Sequence, residues 1–181
     1  PYFFNIAPCL SNGARLHQLA DCYAQAMVHF DLDQAMIFGP AYKGIPLVTA
    51  LAMAFYQRYE RALDFAFNRK EKKDHGEGGS IVGAALSGSV VVVDDVLTKG
   101  SAFSQTLALL KHYPDAKVQA LLVALDRQEK AASGATVSET LMAEHHIDIF
   151  SMVGIDVLIT YLKHHGGDKT IIETLDAYRQ G

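Results

Sequence analysis

The sequence is short of several things, and each shortage removes a class of protein. Cysteine occurs twice in 181 residues, as Cys9 and Cys22. Neither stands at metal-ligand spacing, and two thiols make no disulfide framework, so a zinc ribbon and a stapled secreted scaffold both drop out. The longest apolar run, around Ile45 to Phe55, is well short of the ~20 residues that a membrane span needs. Positive charge is also scarce. Lys and Arg number 16 against 20 Asp and Glu, a net charge of −4 that offers no bulk attraction to nucleic acid. No signal-peptide pattern opens the chain, although it begins at Pro1 rather than Met. No internal repeat or low-complexity linker divides it. The expectation is one domain over 1–181, with one sizeable core and two reduced thiols, in the cytoplasm, with neither a membrane nor a nucleic-acid partner.

What is present is an alternation of two periods. Leu16, Leu19, Ala20, Tyr23, Met27 and Phe30 share one helical face, and "AMIFG" (35–39) is a short apolar strand closed by Gly39 and Pro40. Ile45, Val48, Ala52, Phe55 and Tyr59 mark a second helix, before the alternating "LDFAFN" (63–68). "IVGAAL" (81–86) and "VVVVDD" (90–95) read as strands joined by "SGS" (87–89). Phe103, Leu107 and Leu110 give a helix, "VQALLVAL" (118–125) a strand, and Thr136 with Glu139 a capping box. "IDIFSMV" (147–153) and a closing helix through Ile155, Leu158, Ile159 and Leu162 complete the pattern. Strands apolar on both faces, alternating with helices, predict an α/β fold with a mainly parallel sheet covered on both sides.

Ligands of such sheets bind at the carboxyl ends of the strands. "VVVVDDVLTKGSA" (90–102) lies at such an end. Asp94 and Asp95 repel each other unless something shares them, and a ribose diol or a bound Mg²⁺ would do so. The helix start behind them has amides without intrahelical acceptors and a dipole that favours an anion. Gly100 lets the backbone come close, and Thr98 and Ser101 add hydroxyl donors. Acceptors for a sugar and donors for a phosphate thus stand a few residues apart. Taken alone, the acids also fit a solubilised strand end, and "TKGS" an ordinary cap. A Walker B strand would need G-x-x-x-x-G-K-[ST] elsewhere, and the chain has none. A receiver-type aspartate pocket would need an acidic pair near the start, and that is absent too.

Three more segments belong beside this one. "NRKEKKDHGEGGS" (68–80) holds four basic residues, three acids, a histidine and three glycines, with no apolar residue to dock it. It is either a solvated charge run or a glycine-hinged cationic lid over an anion. "PAYKG" (40–44) puts Lys43 at a helix start, either solvated or near a phosphate oxygen. "LDRQE" (125–129) puts Asp126 and Arg127 just past an apolar strand, as a surface ion pair or as an anion anchor. His145, His146, His164 and His165 follow helices and read as caps of the last carbonyls or as side chains facing water. His17, His29 and His112 have no partner at ligand spacing.

Together these segments resemble the orotate phosphoribosyltransferase family. "VVVVDDVLTKGSA" resembles the phosphoribosyl pyrophosphate (PRPP) motif shared by type I phosphoribosyltransferases. The more specific likeness is "FNRKEKKDHGEGG", which is similar to the catalytic loop of the orotate enzymes. "FGPAYKGIPL", "LDRQE" and the initial "PYFFN" follow in the family's order, so the resemblance spans essentially the whole chain. It implies the type I phosphoribosyltransferase fold, a flexible catalytic loop at about 69–80, and transfer of phosphoribosyl from PRPP to orotate.

The resemblance also implies roles. Asp94 and Asp95 would hold the ribose hydroxyls of PRPP, and Val96, Leu97, Thr98, Lys99, Gly100, Ser101 and Ala102 would wrap its 5-phosphate. Tyr42 and Lys43 would meet the pyrophosphate. Arg69, Lys70, Lys73 and His75 would be the catalytic loop residues. Arg127 and Thr98 would bind orotate, with Phe3 and Phe4 beside the ring. Mg²⁺ would be the cofactor, held mainly through PRPP rather than by dedicated protein ligands. The family is a homodimer whose loop closes over the neighbour's site, so that Arg69 and Lys73 act in trans and Lys70 and His75 in cis.

Two departures accompany the likeness. The family has a helix and a strand before "PYFFN", carrying a lysine that reaches the site, so the small hood is expected to be truncated at its N-terminus here. Lys99 stands where the family often has a small residue. Two other functions share these motifs: a non-catalytic sensor of PRPP or nucleotide on the same fold, and a purine-base phosphoribosyltransferase. An intact charged lid argues against the first, and the lid with Arg127 against the second.

Overall fold

A computed structural model describes residues 5–70, 80–132 and 134–180. Helices α1 (Ala7–Leu10) and α2 (Gly13–His29) precede β1 (Met36–Gly39), α3 (Gly44–Tyr59) and β2 (Phe65–Asn68). Next come β3 (Ile81–Gly83), β4 (Gly88–Leu97), α4 (Ser101–Leu110) and β5 (Ala116–Asp126). The chain closes with α5 (Val137–His145), β6 (Asp148–Gly154), α6 (Ile155–His164) and α7 (Lys169–Gln180). The six strands form one sheet in the order β3-β2-β1-β4-β5-β6. Every pairing is parallel except β2 with β3. This is the mainly parallel α/β architecture that the alternating periods predict.

The strand period of two sorts the side chains between two helical layers. Ile37, Val91, Val93, Ala120 and Leu122 face α2 and α3, where they meet Tyr23, Met27, Leu51 and Phe55. Phe38, Val90, Val92, Leu121 and Val123 face the other way, against Phe103, Leu107 and Leu110 of α4 and Leu141 of α5. A register shift opposite Val90 and Val91 puts Gln119 as an extra residue in β5, and it keeps Val118 on the α4 face. The capping box at Thr136 is present: its hydroxyl accepts from the Glu139 amide, and the Glu139 carboxylate accepts from the Thr136 amide.

Three segments differ from the sequence pattern. "IVGAAL" forms a strand only over Ile81–Gly83, at the sheet edge and antiparallel to β2. Gly83 has φ of 109°, and a Cβ there would stand 2.3 Å from the Phe65 carbonyl oxygen, so the chain leaves the sheet at that residue. The "SGS" turn shrinks as well, because Gly88 and Ser89 already pair with Ala116 and Lys117 of β5. β3 and β4 therefore make no hairpin. The third difference is α7, which lies beyond the helix that closes the sequence pattern. It packs Leu175 against Ile155 and Ile159 of α6.

Leu122, fully buried on β5 between the sheet and the α2–α3 layer, tests this packing. Leu122→Ala is expected to lower unfolding free energy by about 2–5 kcal/mol in urea titration. A loss below about 1 kcal/mol would contradict a close-packed sheet–helix contact there.

Candidate active site

The chain leaves β1 toward β2 on one side, while β4 pairs on the other side. The carboxyl ends of β1 and β4 therefore flank the topological switch point, the crevice where open α/β sheets bind ligands. A cleft of about 1220 Å³ opens there, lined among others by Tyr42, Lys43, Arg69, Lys70, Asp94 and Thr106. The loop after β1 is built by close backbone approach: a Cβ on Gly39 would lie 2.3 Å from the Gly44 carbonyl oxygen. Its Ala41–Tyr42 peptide is cis. The Ala41 amide donates to Asn68 Oδ1 at 2.8 Å, which ties this loop to the end of β2. Tyr42 stands 62% exposed in the cleft, and Lys70 Nζ lies 4.7 Å from its ring centroid.

Asp94 and Asp95 do not end β4. The strand runs on through Leu97, because Val96 and Leu97 pair with Leu125 and Asp126 of β5. Successive side chains point to opposite faces, so the two carboxylates face different surroundings. Asp95 is only 4% exposed and accepts from Lys43 Nζ at 2.7 Å. Asp94 is half-buried, and its Oδ1 accepts from the Asp95 amide at 2.9 Å. Burial pushes the Asp94 carboxyl up from 3.8 to about 7. The Asp95 charge adds to that rise, while the Asp95 amide and Lys43 oppose it. From below, Tyr23 of α2, fully buried, donates its hydroxyl to the Asp94 carbonyl at 2.7 Å. Burial, then the two carboxylates, hold that phenol well above its ordinary range, so it remains a donor.

Past Leu97 the chain turns through Thr98, Lys99 and Gly100 into α4. Gly100 is the N-cap with φ of 76°, and no side chain caps the amides behind it. A Cβ on Gly100 would also meet Leu141 at 2.8 Å, so α5 closes the turn from behind. A small hollow of about 40 Å³ lies within the turn, lined by Asp94, Val96, Thr98, Gly100 and Ser101 above Leu121 and Val123. Uncapped amides around such a hollow suit an anion.

Arg127 follows β5 on the same rim, with its amide donating to the Leu97 carbonyl at 3.2 Å. Arg127 is preceded by Asp126, whose Oδ1 accepts from the Gln128 amide at 2.8 Å. Its guanidinium lies 3.3 Å from the Glu129 carboxylate, and Nη2 donates to the Tyr178 hydroxyl at 2.5 Å.

Known proteins with this arrangement decide the family. A family profile described as phosphoribosyl transferase domain matches residues 10–157. An orotate phosphoribosyltransferase of Proteus mirabilis is 38% identical over 99% of this chain and 83% of its own. One of Dichelobacter nodosus is 44% identical over 99% of this chain and 82% of its own. The chain belongs to the orotate phosphoribosyltransferase family. The crystal structure of the Francisella tularensis orotate phosphoribosyltransferase superposes with a TM-score of 0.83 at 35% identity, covering 99% of this chain and 85% of that one.

Several residues expected from the family resemblance meet in the cleft: Tyr42, Lys43, Arg69, Lys70, Asp94 and Ala102 line it. Val96, Leu97, Thr98, Gly100 and Ser101 surround the hollow, with Leu97 buried in the core beneath. Lys99 is exposed at the turn. Arg127 stands on the rim but lines neither space. Phe3, Phe4, Lys73 and His75 lie outside the described residues. Sequence reasoning missed Asn68 and Tyr178, and it read Tyr23 only as core. Tyr23 sits on an apolar helical stripe, and only the fold places its hydroxyl under Asp94.

The raised Asp94 carboxyl has a consequence for stability. Between about pH 4 and pH 7 the folded protein keeps a proton that the unfolded chain has lost, so Asp94 costs stability as pH rises through that window. Asp94→Asn should raise the ligand-free Tm by a few degrees at pH 8, with the gain vanishing near pH 4. Parallel Tm curves from pH 4 to pH 8 would contradict this.

Proposed function

We infer that the protein transfers the 5-phosphoribosyl group of PRPP to orotate, giving orotidine 5′-phosphate and pyrophosphate. The observation that carries this reading is the acid pair running into an uncapped, left-handed glycine turn at the switch point of an orotate-family chain. On this reading Asp94 and Asp95 accept from the ribose hydroxyls, and the amides from Thr98 to Ala102 hold the 5-phosphate. Lys43 and Tyr42 meet the pyrophosphate. Arg127 anchors the anionic base, with Thr98 and the aromatic pair Phe3 and Phe4 beside its ring.

The ring nitrogen forms its bond to the anomeric carbon as the bond to pyrophosphate breaks, and the leaving group gains negative charge. Cations fixed around it lower the barrier, which assigns the loop residues Arg69, Lys70, Lys73 and His75 to catalysis. Loop closure excludes water, strengthens those charges and protects PRPP from hydrolysis. Arg127 contributes orientation of an already charged base.

Among the described residues no cluster of three or more His, Cys, Asp or Glu side chains is built to hold a metal ion, and Asp95 already has Lys43 as its partner. That donor set fits Mg²⁺ carried by the substrate's own phosphates, with the Asp94–Asp95 carboxylates as the protein's nearby acceptors. So bound, Mg²⁺ would supply Lewis-acid stabilisation of the leaving pyrophosphate.

A homodimer sharing loops across its two sites completes the proposal. It would also cover apolar side chains that one chain leaves in water, such as Met53 and Tyr56 of α3. No helix among the described residues is long and apolar enough to cross a membrane. A cytoplasmic biosynthetic setting accords with that and with two free thiols.

The decisive assay offers orotate, adenine and hypoxanthine in turn with PRPP and Mg²⁺. Orotate absorbance should fall while the purines go unused. Consumption of a purine, or of no base, would overturn the reading in favour of a purine transferase or a sensor. Lys73→Ala should lower kcat at least a hundredfold while PRPP KM changes little, because a lid cation acts mainly in the transition state. Unchanged turnover would remove that role. Mixing Lys73→Ala with Asp95→Ala chains should restore part of the activity through hybrid dimers with one intact site. Mixtures as inactive as their parents would exclude action in trans.

A further inference from the structure

The C-terminal helix reaches the base anchor. α6 follows β6 directly, and the chain reverses at Gly166, with φ of 73°, into α7. Leu175 docks α7 on Ile155 and Ile159, and Tyr178 lies three residues further on. There its hydroxyl accepts from Arg127 Nη2 and donates to Glu129 Oε1 at 2.6 Å. The Arg127 guanidinium carbon lies 5.0 Å from the Tyr178 ring centroid. The side chains of Arg127 and Glu129 are only 14% and 17% exposed. Burial and the bond to Glu129 push the Tyr178 hydroxyl up to about 12, so it stays protonated and able to donate.

This arrangement does two things to the arginine. A guanidinium held by a hydroxyl and stacked on a ring keeps few rotamers, and a fixed fork is what recognition of a planar anion needs. The hydroxyl also donates to Glu129, whose Oε1 lies 3.3 Å from the guanidinium, so tyrosine and arginine share one carboxylate and the three side chains hold one another in place. The general phosphoribosyltransferase match ends at residue 157, before α7, whereas the match to orotate enzymes continues over 99% of the chain. Tyr178 thus lies in a part of the chain outside the general donor-binding domain.

We propose that Tyr178 is a positioning residue for the base: it bonds both Arg127 and Glu129 and fixes the orientation in which the guanidinium meets the anionic base. The inference rests on the reading of Arg127 as the orotate anchor.

Steady-state kinetics of the wild-type chain, Arg127→Ala, Tyr178→Phe and the double variant tests it, with Tm measured alongside. Tyr178→Phe keeps the ring and removes only the hydroxyl. It should lower kcat/KM for orotate about five- to tenfold. PRPP KM and kcat at saturating orotate should stay within about twofold, and Tm within a few degrees. On the Arg127→Ala background the same change should have no further effect, since it acts through Arg127. Should Arg127→Ala leave kcat/KM for orotate unchanged, the anchor reading fails and the inference with it. Should Arg127→Ala lower it while Tyr178→Phe does not, the positioning role alone is overturned. Equal losses toward orotate and PRPP, or additive losses in the double variant, would also overturn it.

Discussion

Two adjacent carboxylates within the last residues of a central, buried strand constrain everything around them. Leaving both charged and unshared there would be costly, so the fold surrounds them with compensation. Lys43, delivered by the loop after β1, neutralises Asp95. Tyr23, delivered by α2 from beneath the sheet, fixes the backbone of Asp94. Asp94 itself keeps a proton to an unusually high pH. Each partner comes from a different element, so the acid pair is in effect what registers α2, β1 and β4 against one another at the switch point.

The same constraint explains how the site divides. The half proposed to bind the donor is a strand, a glycine turn and a helix start, closed from behind by α5, where a Cβ on Gly100 would meet Leu141. The base half is assembled from further away. Arg127 hangs on the end of β5, and its orientation depends on Glu129 and on a tyrosine of the last helix. On the proposed roles, a donor site within the span of the general phosphoribosyltransferase match is joined to a base anchor whose tyrosine partner comes from α7. The cost in stability at Asp94 belongs to the donor half, where substrate hydroxyls are the natural partners of the charged form.

Much of this was legible in the sequence, for physical reasons. Four valines before the acids have to be buried on both faces, and Gly100 before a helical stripe has to be a turn. The capping box at Thr136 is set by local chemistry, and the structure forms it as the sequence implies. What stayed hidden depends on long-range pairing. "IVGAAL" is apolar enough for a long strand, but its edge position and the left-handed Gly83 end it after three residues. α7 is polar on average, but its Ile172, Leu175 and Tyr178 form an apolar stripe that α6 covers with Ile155 and Ile159. The polar ends of Tyr23 and Tyr178 act across about 70 and 50 residues, a reach no periodicity encodes. Of the two sequence readings of "LDRQE", a surface ion pair or an anion anchor, local pattern could not choose, because Asp126 turns to the Gln128 amide and Arg127 reaches Tyr178 across about 50 residues.

On the proposed roles, the acid pair reads the sugar diol while the turn reads the phosphate. Calorimetric titration with ribose 5-phosphate and with 2-deoxyribose 5-phosphate separates the two contributions. Wild type should bind the ribose form about ten- to a hundredfold more tightly, and Asp95→Asn should lose most of this difference while still binding both. Equal affinity of the wild type for the two sugars would contradict it.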